Sequence, residues 1–316
     1  MAQSLRFVPV GLFGAVMGLA GLGLAGRTAM PMVPVPSWFP EFWIALAAIA
    51  LTALVISYGL KALRHGAAVR EELANPALLG FCAALPVGMT LVAAGVAPHA
   101  PMLAQALWWC GVPLMLLLQA TALALLLGGR VRLAHLNGGW LIVLVGGIVM
   151  PFAGLPLGHR ELAAAMFCIS AVAAPLVMGA IFWRMKTGPA LPDALRPSAF
   201  ILLVPPSLIY VNGTALWPTA ALEGLYCFAL VLALALFIAA RGFWRWPFGA
   251  PWWAFTFPLD ALAGAAALFA KHHPDGAWPA LAAGLLLLAT VVVIVVLIRT
   301  LAALARGTLF AAPKKS

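Results

Sequence analysis

Long apolar runs alternate with short polar or Pro/Gly-rich breaks along the whole chain. A membrane-spanning helix needs about 20 mostly apolar residues, and ten of the runs are long enough. The sequence therefore predicts an all-α polytopic membrane protein in which residues 1–316 form a single transmembrane domain. The predicted spans are residues 7–25, 42–63, 77–96, 102–127, 139–157, 161–185, 197–216, 218–241, 250–271 and 277–304.

Composition supports this class and excludes others. The chain is 65% hydrophobic and 8% charged, whereas a soluble domain is about 45–50% apolar and about 25% charged. A soluble enzyme, a disordered chain and a disulfide-stapled secreted domain are therefore excluded, as is a β-barrel, whose strands alternate polar and apolar residues. The first run, Phe7–Ala25, is longer than the apolar core of a usual signal peptide and precedes no clear cleavage site, so we interpret it as the first span.

The net charge of +10 permits two interpretations, nucleic-acid binding or the positive-inside rule. Fifteen of the 18 Lys and Arg residues lie in the N-terminus, the C-terminal tail and the ends or loops that follow even-numbered spans; three, Arg27, Arg160 and Lys271, lie on the opposite side. Cations spread thinly over six segments do not form a nucleic-acid surface. The distribution instead predicts an inner (plasma) membrane protein with both termini in the cytoplasm.

Prolines distinguish two kinds of span. Proline removes a backbone hydrogen bond and kinks a helix, and in lipid the freed carbonyls need protein or water as partners. The pattern favours five helical hairpins around a central pore, each with a kinked inner helix followed by a straight outer one, although proline is also generally frequent in membrane helices. Interior prolines occur in the odd-numbered spans at Pro86, Pro151, Pro156, Pro205, Pro206 and Pro258, and in the even-numbered spans only at Pro113 and Pro175.

The first span departs from this pattern, because its only proline, Pro9, lies at its start. It carries Gly14, Gly18 and Gly21 instead. The GxxxG spacing within this row permits close contact with another helix.

Asp260 is the clearest ionisable residue at mid-depth, ten residues into the ninth span. An intramembrane carboxylate is costly and is a functional candidate by default, but a structural hydrogen-bonding role is equally compatible with the sequence. Phe257, Asp260 and Gly264 share one helix face at 100° per residue, an arrangement that suits a constricted pathway. Trp252 and Trp253, at the cytoplasmic end of the same span, fit the position of interfacial anchors.

Other chemistry is sparse. The seventh span ends with the polar residues Ser207, Tyr210, Asn212 and Thr214, which could bond between helices or line a wet cavity. All six histidines fall in loops or at span ends, so we expect no metal or haem site at depth and no cofactor. No motif for a catalytic nucleophile, phosphate loop or metalloprotease is found in the sequence, and we expect no enzyme.

Three segments resemble one known family. The residues WWAFTFP at Trp252–Pro258 are similar to the ninth-helix motif of the tellurite-resistance/C4-dicarboxylate transporter family, which includes the slow-type anion channels of plant guard cells. The first span (Phe13–Ala20) and the fifth (Val145–Gly154) resemble the family's glycine motifs. One departure is Val16, where family members often have a proline.

The resemblance implies a quasi-fivefold arrangement with odd-numbered helices around a pore, and a homotrimer. It also implies a phenylalanine that blocks the pore. By motif position this gate is Phe257, with Phe255 as the second choice. Gly14, Pro86, Pro151, Pro205, Pro258 and Gly264 are the further candidates for pore-lining or kink positions.

We therefore expect an anion channel or transporter that passes small anions or dicarboxylates. The alternatives are proton-coupled transport of C4-dicarboxylates such as malate, with Asp260 as the coupling carboxylate, or efflux of tellurite or sulfite. A distant alternative is an integral-membrane enzyme. The expected partners are the lipid bilayer and small inorganic or organic anions, with no nucleic acid.

Overall fold

A computed structural model of the protein describes residues 5–309, and this part of the chain is helical with no strand. Nine of its helices are long and apolar enough to cross a membrane, and a tenth apolar helix is shorter. The all-α polytopic prediction is confirmed. The ten spans are Val10–Ala29, Trp38–Arg64, Leu79–Val96, Pro101–Leu127, Gly139–Gly154, Arg160–Thr187, Asp193–Leu216, Ala220–Ala239, Ala250–His272 and Trp278–Ala305.

Predicted and observed boundaries agree to within four residues. One element has no counterpart in the prediction, the helix Gly66–Ala74, which links the second and third spans and has no buried residue. It will be called the connecting helix. Short 3-10 turns cover Leu133–His135 and Phe243–Arg245. Two of the predicted cytoplasmic cations, Lys314 and Lys315, lie outside the described residues.

The odd-numbered spans are interrupted. Each changes from a 3-10 or short helical piece to an α-helical segment, which begins at Phe13, Ala84, Pro151, Val204 and Thr256, respectively. Four of the even-numbered spans are single α-helices, and the eighth begins with one 3-10 turn, Ala220–Leu222. Pro113 and Pro175 lie inside such unbroken helices.

Proline position accounts for these interruptions. Pro86, Pro151, Pro205 and Pro258 each lie within the first three residues of the second α-helical segment of their span. The first turn of a helix has no intrahelical partner for its N–H groups, so a proline there loses no hydrogen bond. The prolines therefore mark where the inner helices restart.

The odd-numbered spans form the interior. In the first, third, seventh and ninth spans, 72–89% of the residues in the most apolar 18-residue stretch are buried, against 22–33% in the even-numbered spans. Of the fifth span, only Ile142, Leu144 and Phe152 are not fully buried. The first span packs on the third and ninth, the third on the fifth, the fifth on the seventh and the seventh on the ninth, which closes a ring of five. Each even-numbered span packs outside its preceding odd-numbered span, so the five-hairpin arrangement is confirmed.

The glycine row of the first span faces the ninth span. A Cβ atom on Gly14 would lie 3.2 Å from the Cβ of Trp253, and one on Gly18 would overlap the Thr256 side chain. One on Gly21 would lie 2.7 Å from Cδ2 of Phe257. The close helix contact predicted from the spacing is therefore present, and it replaces a proline kink as the means by which the first span fits the ring.

Candidate permeation pathway

The ring of odd-numbered spans encloses a cavity of about 140 Å³, which we call the vestibule. All five odd-numbered spans contribute to its wall. One lining residue from each is Gly14, Val87, Val145, Pro205 and Phe257. Among the described residues no even-numbered span contributes, so the vestibule lies on the axis of the ring.

A second cavity of about 20 Å³ lies further along the same five spans, and we call it the distal cavity. One lining residue from each span is Gly21, Leu91, Phe152, Leu208 and Asp260. Its volume has room for about one water molecule. In every odd-numbered span the vestibule residues precede those that line only the distal cavity, so the five inner helices run parallel.

Phe257 is the one described residue that lines both cavities. Its side chain is 4% exposed, and Gly21 leaves the space that its ring occupies. The ninth span restarts as an α-helix at Thr256, which places Phe257 in the first turn, directly before Pro258. The phenyl ring therefore stands between the vestibule and the distal cavity.

Asp260 lies one turn beyond Phe257 and lines the distal cavity together with Gly264. It is 1% exposed, and neither carboxylate oxygen has a hydrogen-bond partner within the described protein. A Cβ atom on Gly21 would lie 2.9 Å from its Oδ2. The predicted shared face of Phe257, Asp260 and Gly264 thus corresponds to three residues on one cavity wall.

Of the other predicted pore-lining or kink residues, some line the vestibule and others are buried within their helices. Gly14, Pro205 and Pro258 line the vestibule. Pro86 and Pro151 are buried within the third and fifth spans but are not among the lining residues of either cavity. Their place in the fold is at the points where those helices restart.

Phe255, the second choice for the gate, packs away from both cavities. Its ring lies 4.7 Å from that of Phe200 and is stacked on Trp246 at 6.1 Å, between ring centroids. The interpretation of Trp252 and Trp253 as interfacial anchors is wrong, because each is only 2% exposed. Both tryptophans pack inside the protein and do not contact lipid headgroups.

The vestibule wall is apolar except for the carboxylate of Glu72. Gly14, Ala84, Val204 and Pro258 line it from the first turn of an α-helical segment. In three of these segments the first N–H already donates to the preceding 3-10 turn: Phe13 to the Val10 carbonyl, Val204 to that of Ile201 and Thr256 to that of Trp253. The N-terminal turn of a helix carries a partial positive charge from its unsatisfied N–H groups. Because those N–H groups are paired here, these turns are not free helix ends, and no Lys or Arg among the described residues lines the vestibule.

Sequence reasoning missed a buried charged cluster beside the vestibule. Lys61, one of the fifteen cations that the charge distribution assigns to the cytoplasmic side, is 1% exposed. Its Nζ donates hydrogen bonds to Oε1 of Glu72 at 2.7 Å and to the Val8 carbonyl at 2.7 Å. The Tyr58 hydroxyl donates to Oε2 of Glu72 at 2.6 Å. No spacing rule could have found this cluster, because Glu72 comes from a connecting helix that the apolar pattern does not reveal.

The polar end of the seventh span bonds between helices at one position. Asn212 Nδ2 donates to the Ile148 carbonyl at 2.7 Å, within the 3-10 turn that interrupts the fifth span. The hydroxyls of Ser207, Tyr210 and Thr214 are buried without a partner in the described protein. None of the four lines either cavity, so the interhelical role is present at Asn212 and the lining role is not seen at any of them.

Comparison with known proteins gives a consistent result. Residues 8–301 match a family model described as voltage-dependent anion channel. The chain is 25% identical over 309 residues to the S-type anion channel SLAH3 of Arabidopsis thaliana, a match that covers 93% of this chain and 48% of that protein. It is 26% identical over 230 residues to the S-type anion channel SLAH2 of the same plant, covering 71% of this chain and 44% of that protein. The chain thus spans about half the length of the curated relatives it matches.

Proposed function

Because the chain belongs to the voltage-dependent anion channel family, we propose that it conducts small anions through the vestibule and the distal cavity. The observation that carries this proposal is the position of Phe257, the one described residue shared by two cavities on the axis of the inner ring. A hydrophobic ring across a narrow pathway is a known means of gating. In the proposed mechanism the conformation described above is closed, and rotation of the ring away from the axis joins the two cavities.

The vestibule presents no unpaired fixed charge to a permeating ion. Its lining includes no Lys or Arg side chain among the described residues, and its one ionisable residue, Glu72, is paired with Lys61, so while this pair is intact an anion in the vestibule would meet no unpaired fixed charge. Conduction needs binding that is favourable enough for entry but weak enough for release, and a wall without a lining cation suits the release of an anion.

The first test is Phe257→Ala. Removing the ring is expected to raise anion flux by about tenfold or more, because the constriction between the two cavities is then open. A tenfold increase corresponds to a barrier that is lower by about 1.4 kcal/mol. Flux would be measured as anion-dependent current in oocytes or as efflux from liposomes that contain the purified protein.

Phe255→Ala is the matched control, since Phe255 is an aromatic residue of the same motif that packs outside both cavities. It is expected to leave flux near the wild-type level. Unchanged flux in a Phe257→Ala variant that elutes as a single folded species would remove Phe257 as the gate. In a separate experiment, an ion-replacement series with chloride, nitrate, sulfite and malate in the wild-type protein identifies the preferred anion.

Asp260 supports a second candidate, the proton-coupled transport of C4-dicarboxylates such as malate. A buried carboxylate without a hydrogen-bond partner is costly when ionised, and Asp260 lies in the distal cavity one turn past Phe257. A proton bound there would remove a negative charge from the path of an anion. Malate uptake into liposomes with and without an imposed pH gradient tests coupling, since a passive channel is indifferent to the gradient.

Efflux of tellurite or sulfite is the remaining transport alternative, and the same liposomes loaded with either oxyanion would test it. Trimeric assembly also stays a prediction, since it rests on the resemblance to the family alone. The mass of the purified protein in detergent, measured by light scattering with the detergent contribution subtracted, tests it directly.

A further inference from the structure

The cluster of Lys61, Tyr58 and Glu72 has the chemistry of an anion receptor that already holds a carboxylate. Lys61 Nζ and the Tyr58 hydroxyl each donate to a different oxygen of Glu72, at 2.7 Å and 2.6 Å. Charge-assisted hydrogen bonds of this length are the strong ones. Both donors come from the second span, three residues apart, whereas the bound carboxylate comes from the connecting helix.

We propose that Lys61 and Tyr58 form an anion site at the wall of the vestibule, and that Glu72 occupies this site as an internal carboxylate which a permeant anion displaces. The proposal rests on the proposed function, because it names a binding step on the same pathway. The ligand class is a small carboxylate or oxyanion, whose two acceptor atoms match the two donors.

Glu72 is placed so that such an exchange opens onto the vestibule. It is the one ionisable residue among the described residues that line this cavity, whereas Lys61, which is 1% exposed, is not a lining residue. A ligand arriving from the vestibule would therefore meet Glu72 first and Lys61 behind it.

The exchange keeps charge balanced. A buried ammonium is strongly destabilising if its partner is simply removed, so Lys61 needs an anion at all times. The Val8 carbonyl continues to accept one Nζ hydrogen bond throughout. Because the connecting helix has no buried residue, moving Glu72 outward sacrifices little apolar burial.

Glu72→Gln tests the site and has a close control in Glu71→Gln, since Glu71 is the neighbouring carboxylate and is exposed. The first readout is thermal unfolding of the purified protein in detergent with added sodium acetate or sodium chloride. A ligand that binds the folded state raises its unfolding temperature. Acetate is expected to raise that of Glu72→Gln by several degrees and more than chloride does, and to leave that of Glu71→Gln near the wild-type value.

Two further variants keep this test decisive. Lys61→Met added to Glu72→Gln is expected to abolish the stabilisation by acetate. Glu72→Asp keeps the charge, and therefore the fold, while the shorter side chain withdraws from one donor, so an intermediate acetate response is expected. The proposal is overturned if acetate stabilises neither Glu72→Gln nor Glu72→Asp more than it stabilises Glu71→Gln, or if chloride matches acetate.

The second readout is flux in the Phe257→Ala background. Adding Glu72→Gln is expected to lower the half-saturating acetate concentration by about tenfold, the scale of one hydrogen bond to a charged group. If Phe257→Ala alone carries no anion, the proposed pathway fails, whatever acetate does to unfolding. If Phe257→Ala conducts and the half-saturating concentration is unchanged by Glu72→Gln, the pathway stands and the Lys61–Tyr58 site fails.

Discussion

Asp260 is a buried carboxylate with no hydrogen-bond donor in the described protein. It lies in a cavity large enough for about one water molecule. A purely structural carboxylate would be expected to accept hydrogen bonds from an adjacent helix. No such donor is found within residues 5–309, and we therefore propose proton exchange as the role of Asp260.

The residue-scale prediction is that Asp260→Asn uncouples uptake from the pH gradient. The amide has nearly the same shape but binds no proton in this range, so uptake driven by the malate gradient should persist while its enhancement by inward proton flow disappears. Asp275→Asn, which changes an exposed carboxylate beyond the end of the ninth span, should retain the full enhancement. Equal responses to pH in both variants would eliminate Asp260 as the coupling group.

Residue positions were predictable where they follow from local helix geometry. Phe257, Asp260 and Gly264 could be placed together because helical periodicity fixes which neighbours share a face. The pairing of Lys61 with Glu72 and that of Asn212 with Ile148 join different elements. Such pairs depend on how helices pack, which neither hydropathy nor spacing specifies.

At the scale of elements, the contact between the first and ninth spans positions the proposed gate. The glycine row of the first span lets the ninth span approach closely enough that Thr256 and Phe257 occupy the space next to Gly18 and Gly21. Helix association in lipid relies on such close packing. The position of Phe257 is therefore set from the opposite helix as well as from its own.

Gly18→Ala is expected to destabilise the protein by about 1–3 kcal/mol, the range for overpacking a tight contact. The measurement is the thermal unfolding midpoint in detergent. Gly179→Ala is the matched control, because it lies in the sixth span with no atom within 4 Å of an added Cβ. That change should leave stability unaltered or raise it by about 0.5–1 kcal/mol through helix propensity. Equal midpoints for the two variants would show that the first and ninth spans tolerate separation.

The alternation of interrupted and continuous spans was predictable from proline because proline acts on its own helix. The exact points of restart were less accessible. The first span restarts at Phe13 without a mid-helix proline, and Pro113 and Pro175 leave their helices unbroken. Proline content separates inner from outer helices here, whereas the fit of the first span depends on glycine.

At the scale of the whole molecule, the charge distribution predicts which end of the bundle faces the cytoplasm. Fifteen Lys and Arg residues are assigned to one side and three to the other, so a fluorescent protein fused to the C-terminus should fluoresce in a bacterial cytoplasm. Alkaline phosphatase fused after Gly276, in the loop between the ninth and tenth spans, should be active outside the membrane. The reverse pattern of activities would invert the orientation and place the vestibule on the outside.

The parallel course of the five inner helices has a consequence for the direction of current. Folds that expose one binding site alternately to either side often contain two inverted halves, whereas here every hairpin repeats in the same sense. In the proposed pathway an ion entering from one end would meet a cavity of about 140 Å³, and one entering from the other end would meet a cavity of about 20 Å³. If the proposed pathway conducts, the two directions of travel would cross unlike energy profiles, and we expect the current to rectify.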